Sequence, residues 1–292
     1  MPSLKEVKSR ISSVVSTQQI TKAMKMVAAA KLRKSQDRII QMRPFAEKFS
    51  SLLQNLSAAG SDEQSWYNSP REEKKILIVP VSSDRGLCGS FNATIFKATV
   101  RLLQERYAAQ FKAGNVTILP IGKKSMEYFK KRKYQMISDH WDLFSDLSFD
   151  RTSAIADYVM DVFKKGQYDK VEIVYNEFKN VATQILRTEV YLPIAPAPRT
   201  DQSVSVDYIF QPNREEIVTG MIPKSLRVQL FKAVLDSNAA ENGARMTAMD
   251  KATENAGELL KDLRLTYNRT RQAAITKEIL EIVAGAEALK SA

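Results

Sequence analysis

One cysteine, one histidine and no long apolar run set the first limits on this chain of 292 residues. With Cys88 alone, no disulfide can close within the chain, which fits a reducing compartment and excludes an internal dithiol switch. His140 has no evident companion base, and nowhere do His and Cys recur at metal-ligand spacing. Neither a Cys–His nucleophile pair nor a bound metal is expected. No apolar stretch approaches the roughly 20 residues that a membrane-spanning helix needs. The start is polar, basic and helical in pattern, so neither a signal peptide nor a direct membrane span is expected. Residues 82–92 form a glycine-containing turn after a strand-like run. The turn lacks G-x-G-x-x-G spacing and the lysine and Ser/Thr of a phosphate loop, so its glycines read as serving a tight turn and close packing. The aspartates of 139–150 sit in a Ser- and Asp-rich stretch and read as caps and loop. No catalytic residue and no cofactor is expected.

Acidic residues are scarce where basic ones crowd. Up to Leu56 the N-terminal arm has eleven Lys and Arg, from Lys5 to Lys48, against only Glu6, Asp37 and Glu47. That arm therefore carries +8 of the formal net charge of +11. A helix so charged suits an acidic partner: nucleic acid, an anionic membrane surface or an acidic protein collar. A plain solvated face is the alternative.

Both ends of the chain are rich in apolar residues at three- and four-residue spacing. At the N-terminus these are Leu4, Val7, Ile11 and Val14, then Ile39, Met42, Ala46, Phe49, Leu53 and Leu56. At the C-terminus they are Met249, Ala252, Ala256, Leu259 and Leu263, then Ile275, Ile279, Ile282, Ala286 and Leu289. That spacing predicts two long helices, paired antiparallel as a coiled coil. Ser3 with Glu6 reads as a capping box, and Pro44 predicts a kink or break. The phase slips on both arms. After Val14 the apolar set moves to Ile20, Met24 and Val27, and Leu263 to Ile275 is not a whole number of heptads, so stutters are expected.

Between the arms, 76–81 and 116–121 read as buried strands, and 171–175 with 185–192 as a hairpin around Asn180, giving a mixed sheet. Helices are expected over 92–110, 123–133 (strongly basic) and 152–164. A linker is expected over 59–70, and Pro223 should lie in the first turn of a new helix. The fold class is α/β: a long antiparallel two-helix coiled coil from the N- and C-terminal segments, plus a central Rossmann-like α/β domain. The expected divisions are 1–58, 74–210 and 213–290.

Three segments carry a family resemblance. Residues 16–31 (STQQITKAMKMVAAAK), the loop 83–89 (SDRGLCG), and the pair 244–249 (ARMTAM) and 267–278 (YNRTRQAAITKE) occur in one order across the whole chain. In this the chain resembles the gamma subunit of F-type ATP synthases. The resemblance implies the central rotor shaft of a proton-translocating synthase, transmitting torque between the membrane c-ring and the catalytic ring. It implies three alpha and three beta subunits around one copy of the chain, with the epsilon subunit and c-ring at the foot, and chemistry that belongs to beta. Position by position, it places Met24, Lys25, Arg85 and Cys88 toward an acidic loop of beta. Arg271, Gln272 and Thr276 fall toward a second beta loop, with Arg245 nearby on the shaft, and Asp207 and Tyr208 on the foot near the c-ring. It further implies a peripheral position on the cytoplasmic face of a bacterial cell membrane. A chloroplast member would carry a regulatory cysteine pair, and no transit peptide points to an organelle.

Two rivals follow from the residues alone. One is a basic coiled coil that tracks nucleic-acid phosphates with a steep salt dependence, against which stand the interleaved apolar seam and the lack of an aromatic stacking surface. The other is an enzyme built on the α/β unit around Cys88 or the glycine turn.

Overall fold

The computed structural model describes residues 3–58, 67, 71–194 and 214–290. The elements run α1 (Leu4–Ala58), β1 (Ile76–Pro80), α2 (Phe91–Glu105), α3 (Ala108–Lys112), β2 (Val116–Ile118) and α4 (Lys123–Lys131). After a short 3-10 turn come α5 (Phe149–Lys164), β3 (Lys170–Phe178), β4 (Gln184–Leu192) and α6 (Arg214–Lys290). These fall into two compact units, Met1–Ala28 with Met246–Ala292, and Ala29–Arg245.

In the larger unit the sheet order is β2-β1-β3-β4. β1 pairs parallel with β2 and with β3, and β3 pairs antiparallel with β4, so the mixed sheet and the hairpin around Asn180 are as expected. Alternation along the strands sorts two faces. Leu77, Val79, Val171, Ile173 and Tyr175 join Ile155, Val159 and Phe163 of α5 and Leu226, Leu230 and Val234 of α6 in one core. The residues between them face the other way, where α2 buries Phe91, Ile95, Thr99 and Leu103 at four-residue spacing. The result is a three-layer α/β sandwich.

Several boundaries differ from expectation for physical reasons. Helix 92–110 is broken into α2 and α3 because Tyr107 leaves the helix (φ −115) and is fully buried. Its hydroxyl donates at 2.5 Å to Glu172, a carboxylate with no exposure that also meets Arg106 at 2.9 Å. Burial and that carboxylate both push the Tyr107 phenol above its ordinary range. β2 stops at Ile118, although Leu119 and Ile121 still donate to β1 carbonyls at 2.8 and 3.0 Å. Helix α5 starts three residues early because Ser148 caps it, accepting from Arg151 N–H. Helix α1 is capped as expected, with Glu6 N–H donating to Ser3 Oγ at 3.2 Å, but it runs on through Pro44. Pro223 likewise sits inside α6 rather than in its first turn. The 59–70 linker lies, apart from Tyr67, outside the described residues.

One backbone approach is exacting. Gly122 holds φ +94, and a Cβ there would lie 2.2 Å from the Ser82 carbonyl oxygen. Only glycine lets the turn before α4 lie against the end of β1 in this way.

In the smaller unit the two long helices pair antiparallel. Gln18 Nε2 donates to the Thr253 carbonyl at 3.3 Å, and Lys25 meets Asp250 at 2.5 Å, so one helix descends as the other rises. The stutters are absent. Along α1 the sheltered positions are Val7, Ile11, Val14, Gln18, Thr21, Lys25 and Ala28, with alternating four- and three-residue steps and no slip. Along α6 they are Met249, Thr253, Ala256, Leu260, Leu263, Tyr267, Thr270 and Ala274, in the same rhythm. The seam keeps its heptad phase by admitting polar residues. Apolar residues that seemed to carry a shifted phase point outward, Ile20 at 59% exposed, Val27 at 57% and Ile275 at 48%, and so does Leu259, expected in the seam, at 48%.

Candidate functional site

The candidate sites of this molecule are two surfaces, one on each unit. The first is the helix pair. Its seam holds a polar stretch where a coiled coil ordinarily holds leucine and isoleucine. The Thr21 and Thr253 hydroxyls lie 2.8 Å apart, and Thr21 also donates to the Gln18 carbonyl at 3.0 Å. A Cβ on Gly257 would lie 3.1 Å from Gln18 Nε2, so glycine makes room for the glutamine. Lys25 and Asp250 close the stretch, with side chains 39% and 59% exposed, and such a pair contributes only about 0–1 kcal/mol. Each group satisfies a partner across the seam, so together they specify which residue faces which.

Carried seven residues at a time, the register Lys25–Asp250 and Gln18–Gly257 brings Leu4, the start of α1, level with Arg271. From Ile275 through Glu287, α6 has no helix opposite among the described residues, and every residue there is exposed. Ile279, Leu280, Ile282 and Val283 stand 54%, 62%, 71% and 51% exposed. Arg271, Gln272 and Thr276 are exposed at the root of this segment. Met24 is partly buried beside Lys25, and its neighbour Met26 is 60% exposed.

The second surface is the loop between β1 and α2. Its backbone carbonyls point toward α6, where Arg245 donates to the Arg85 carbonyl at 2.9 Å and to that of Gly86 at 3.3 Å. Arg245 is itself held by Glu241 at 2.7 Å, both side chains nearly buried. Burial pushes the Glu241 carboxyl above its usual range, and the Arg245 guanidinium pulls it back. Inside the loop, Cys88 is 2% exposed. Its thiol lies near Ser83 Oγ and Asn92 Nδ2, and Asn92 also bridges to the Ser83 hydroxyl and N–H. Cys88 thus turns inward as an anchor, and burial raises its thiol pKa. The surface it was expected to offer is presented instead by Arg85 and by Leu87, which is 65% exposed at φ 61. A leucine in the left-handed region is strained.

The structure therefore gathers Arg85 and Arg245, places Met24 and Lys25 on the helix pair, and places Arg271 and Gln272 at the end of its paired part with Thr276 just beyond. Asp207 and Tyr208 lie outside the described residues. Sequence reasoning missed Asp250, Thr253 and Glu241. The signal for the first two was present: polar residues falling in phase on both arms.

The profile of the ATP synthase family matches residues 3–289. The ATP synthase gamma chain of Cytophaga hutchinsonii is 57% identical over 295 residues, spanning 100% of both chains. That of Chlorobaculum parvum is 50% identical over 291 residues, spanning 99% of this chain and 100% of its own. Among solved structures, a chain of the Euglena gracilis mitochondrial ATP synthase in rotational state 3 matches the fold with a TM-score of 0.69 at 22% identity. The match covers 98% of this chain and 94% of that one. A chain of the Tetrahymena thermophila mitochondrial ATP synthase central stalk and c-ring matches with a TM-score of 0.58 at 26% identity, covering 80% and 99%. Nothing found supports the nucleic-acid alternative. With its full length shared at half identity or better, the chain belongs to the ATP synthase gamma chain family.

Proposed function

We propose that the chain is the central rotor shaft of a proton-translocating F-type ATP synthase. It carries torque between a membrane c-ring and a ring of three alpha and three beta subunits, and leaves ATP chemistry to beta. Segments 1–58 and 213–290 serve as the shaft and 74–210 as the foot that meets the epsilon subunit and c-ring, with Asp207 and Tyr208 among the foot contacts. The complex is bacterial and peripheral to the membrane, with this chain on the cytoplasmic face. One observation carries the reading: large apolar residues stand outward on the helix pair, Ile20, Met26 and Val27 on α1 and Leu259 and Leu265 on α6, and they continue along the unpaired end of α6. A surface of that kind needs a collar that covers it from every side.

Contacts inside a collar must break and re-form as the shaft turns, which suits exposed cations worth about 0–1 kcal/mol per pair. Met24, Lys25, Arg85, Arg245, Arg271, Gln272 and Thr276 are the residues we assign to beta. Arg245 acts by holding the loop that displays Arg85, and Cys88 acts from within that loop. Charge reversal separates these roles unequally. At Lys25 it sets two acids opposite each other and disturbs the shaft itself. Arg271 has no ion-pair partner among the described residues, which makes it the cleaner probe. Assembly from separately prepared subunits tests the function. Alpha and beta subunits should gain steady ATP hydrolysis when this chain is added, and a bead fixed to the chain should rotate. Hydrolysis indifferent to the chain, or a bead that stays still during turnover, overturns the proposal.

A further inference from the structure

Three helices of the larger unit end in the same backbone motif. α3 closes on Gly114 (φ 73) and α5 on Gly166 (φ 69), each sending its own N–H and that of the next residue back to helix carbonyls. α4 closes identically, with Lys133 N–H donating to the Lys130 carbonyl at 3.0 Å and Tyr134 N–H to that of Phe129 at 3.2 Å. The Tyr134 and Phe129 rings meet 5.3 Å apart, the apolar contact that usually completes the motif. Yet the left-handed position, φ 59, is held by Lys133 rather than glycine. A side chain there is strained where glycine is not. The turn itself therefore does not call for a lysine at this position.

Lys133 ends a run of four exposed cations with Lys130, Lys131 and Arg132. A fifth, Lys112, follows Phe111, whose ring stacks 5.6 Å from Tyr134 and is 39% exposed. Cations in a last helical turn complement the helix dipole, which accounts for Lys112, Lys130 and Lys131 but not for Lys133. Among the described residues, none of the four lysines forms an ion pair. Nearby Glu105 and Glu127 are taken by Arg101 and Lys124.

We propose that this end of α4 binds anionic phospholipid headgroups. Four consecutive exposed residues around a helix end cover every outward direction, as contact with a broad charged surface requires. Cations beside an exposed aromatic ring match the composition of segments that sit at headgroup level. A fluid anionic surface also presents the same charge at every angle, so a turning part can touch it without being arrested. That last point alone rests on the rotor role.

The test is binding of the purified full chain to vesicles of phosphatidylcholine, with and without phosphatidylglycerol. Each cation lost near an anionic surface should weaken binding about fivefold, so Lys130→Gln, Lys131→Gln and Lys133→Gly together should weaken it about a hundredfold. Lys133→Gly alone should weaken binding about fivefold while raising the melting temperature, an outcome a purely structural lysine cannot give. Lys5→Gln, Lys8→Gln and Lys34→Gln remove the same charge elsewhere and should weaken binding far less. Equal losses in the two triple variants, or no preference for phosphatidylglycerol, overturn the proposal. So does a patch variant that loses polyglutamate binding but keeps vesicle binding, since the partner would then be an acidic protein. Assembled in detergent, the patch variant should hydrolyse ATP and rotate normally. Failure there would place these residues in the rotor's protein contacts and also overturn the lipid assignment.

Discussion

Ile279 and Ile282 were expected in the heptad seam, and the structure leaves them 54% and 71% exposed on unpaired helix. Burying an isoleucine fully is worth about 1.5–3 kcal/mol, so a collar that covers the exposed part gains about 1–2 kcal/mol from each. Replacing both with serine should therefore weaken assembly with alpha and beta subunits by about 2–4 kcal/mol, from about thirtyfold to several hundredfold in affinity. The isolated chain should hardly notice. Exposed substitutions usually shift stability by under about 0.5 kcal/mol, and serine and isoleucine have similar helix propensity. Leu260, 6% exposed in the seam, should behave in the opposite sense: Leu260→Ala should cost the isolated chain about 2–5 kcal/mol. Thermal unfolding followed by circular dichroism measures the first quantity, and titration of labelled chain with the other subunits measures the second. If the double serine variant melts several degrees lower yet assembles with full affinity, the isoleucines belong to the fold and the collar argument fails.

Three further outcomes follow. Gly122→Ala places a Cβ 2.2 Å from the Ser82 carbonyl oxygen at φ +94, and should destabilise the larger unit by about 2–5 kcal/mol, read as a drop in melting temperature. The Cys88 thiol, raised by burial above its ordinary value of 9.0, contributes stability that is complete below that value and is lost as pH rises through its folded-state pKa. Folded chain at neutral pH should accordingly react with Ellman's reagent far more slowly than urea-unfolded chain, and equal rates would contradict the inward orientation. For the polar seam, Lys25→Asp should lower stability by up to about 1 kcal/mol by opposing two carboxylates, and adding Asp250→Lys should restore it. Absence of restoration in thermal melts would show that the two side chains do not meet.

The layered sheet was legible because its signals are local. The run 76–80 is apolar on both faces, Asn180 sits between two strand-like stretches, and Ser3 with Glu6 announces a cap. The helix seam was misread for a physical reason. Apolar residues mark the seam only when the pair is bordered by water. Here Val7, Ile11 and Val14 keep to the seam as read, but Ile20 and Val27 face outward, and the seam between Val14 and Ala28 passes through Gln18, Thr21 and Lys25. The break at Tyr107 and the hold of Arg245 on the loop after β1 were invisible for another reason. Each depends on a partner far along the chain, Glu172 for the first and residues 85 and 86 for the second, and no short pattern announces such a meeting. Cys88 was placed by resemblance at the surface, and nothing in its neighbours signalled that Ser83 and Asn92 would draw it inside.

The hydrogen bond between Thr21 and Thr253 acts at a distance from where it lies. Sliding one helix past the other by a single heptad would lengthen or shorten the unpaired end of α6 by about 10 Å. Leucines in their place would tolerate such a slide, because one apolar layer fits much like the next. Threonine, glutamine and a salt pair do not, since a slip would bring Thr21 level with Leu260 or Met246 and Lys25 level with Gly257 or Gly243, and each would lose its partner. The reach of the tip is thus gauged some twenty residues away, by side chains that meet one another across the seam.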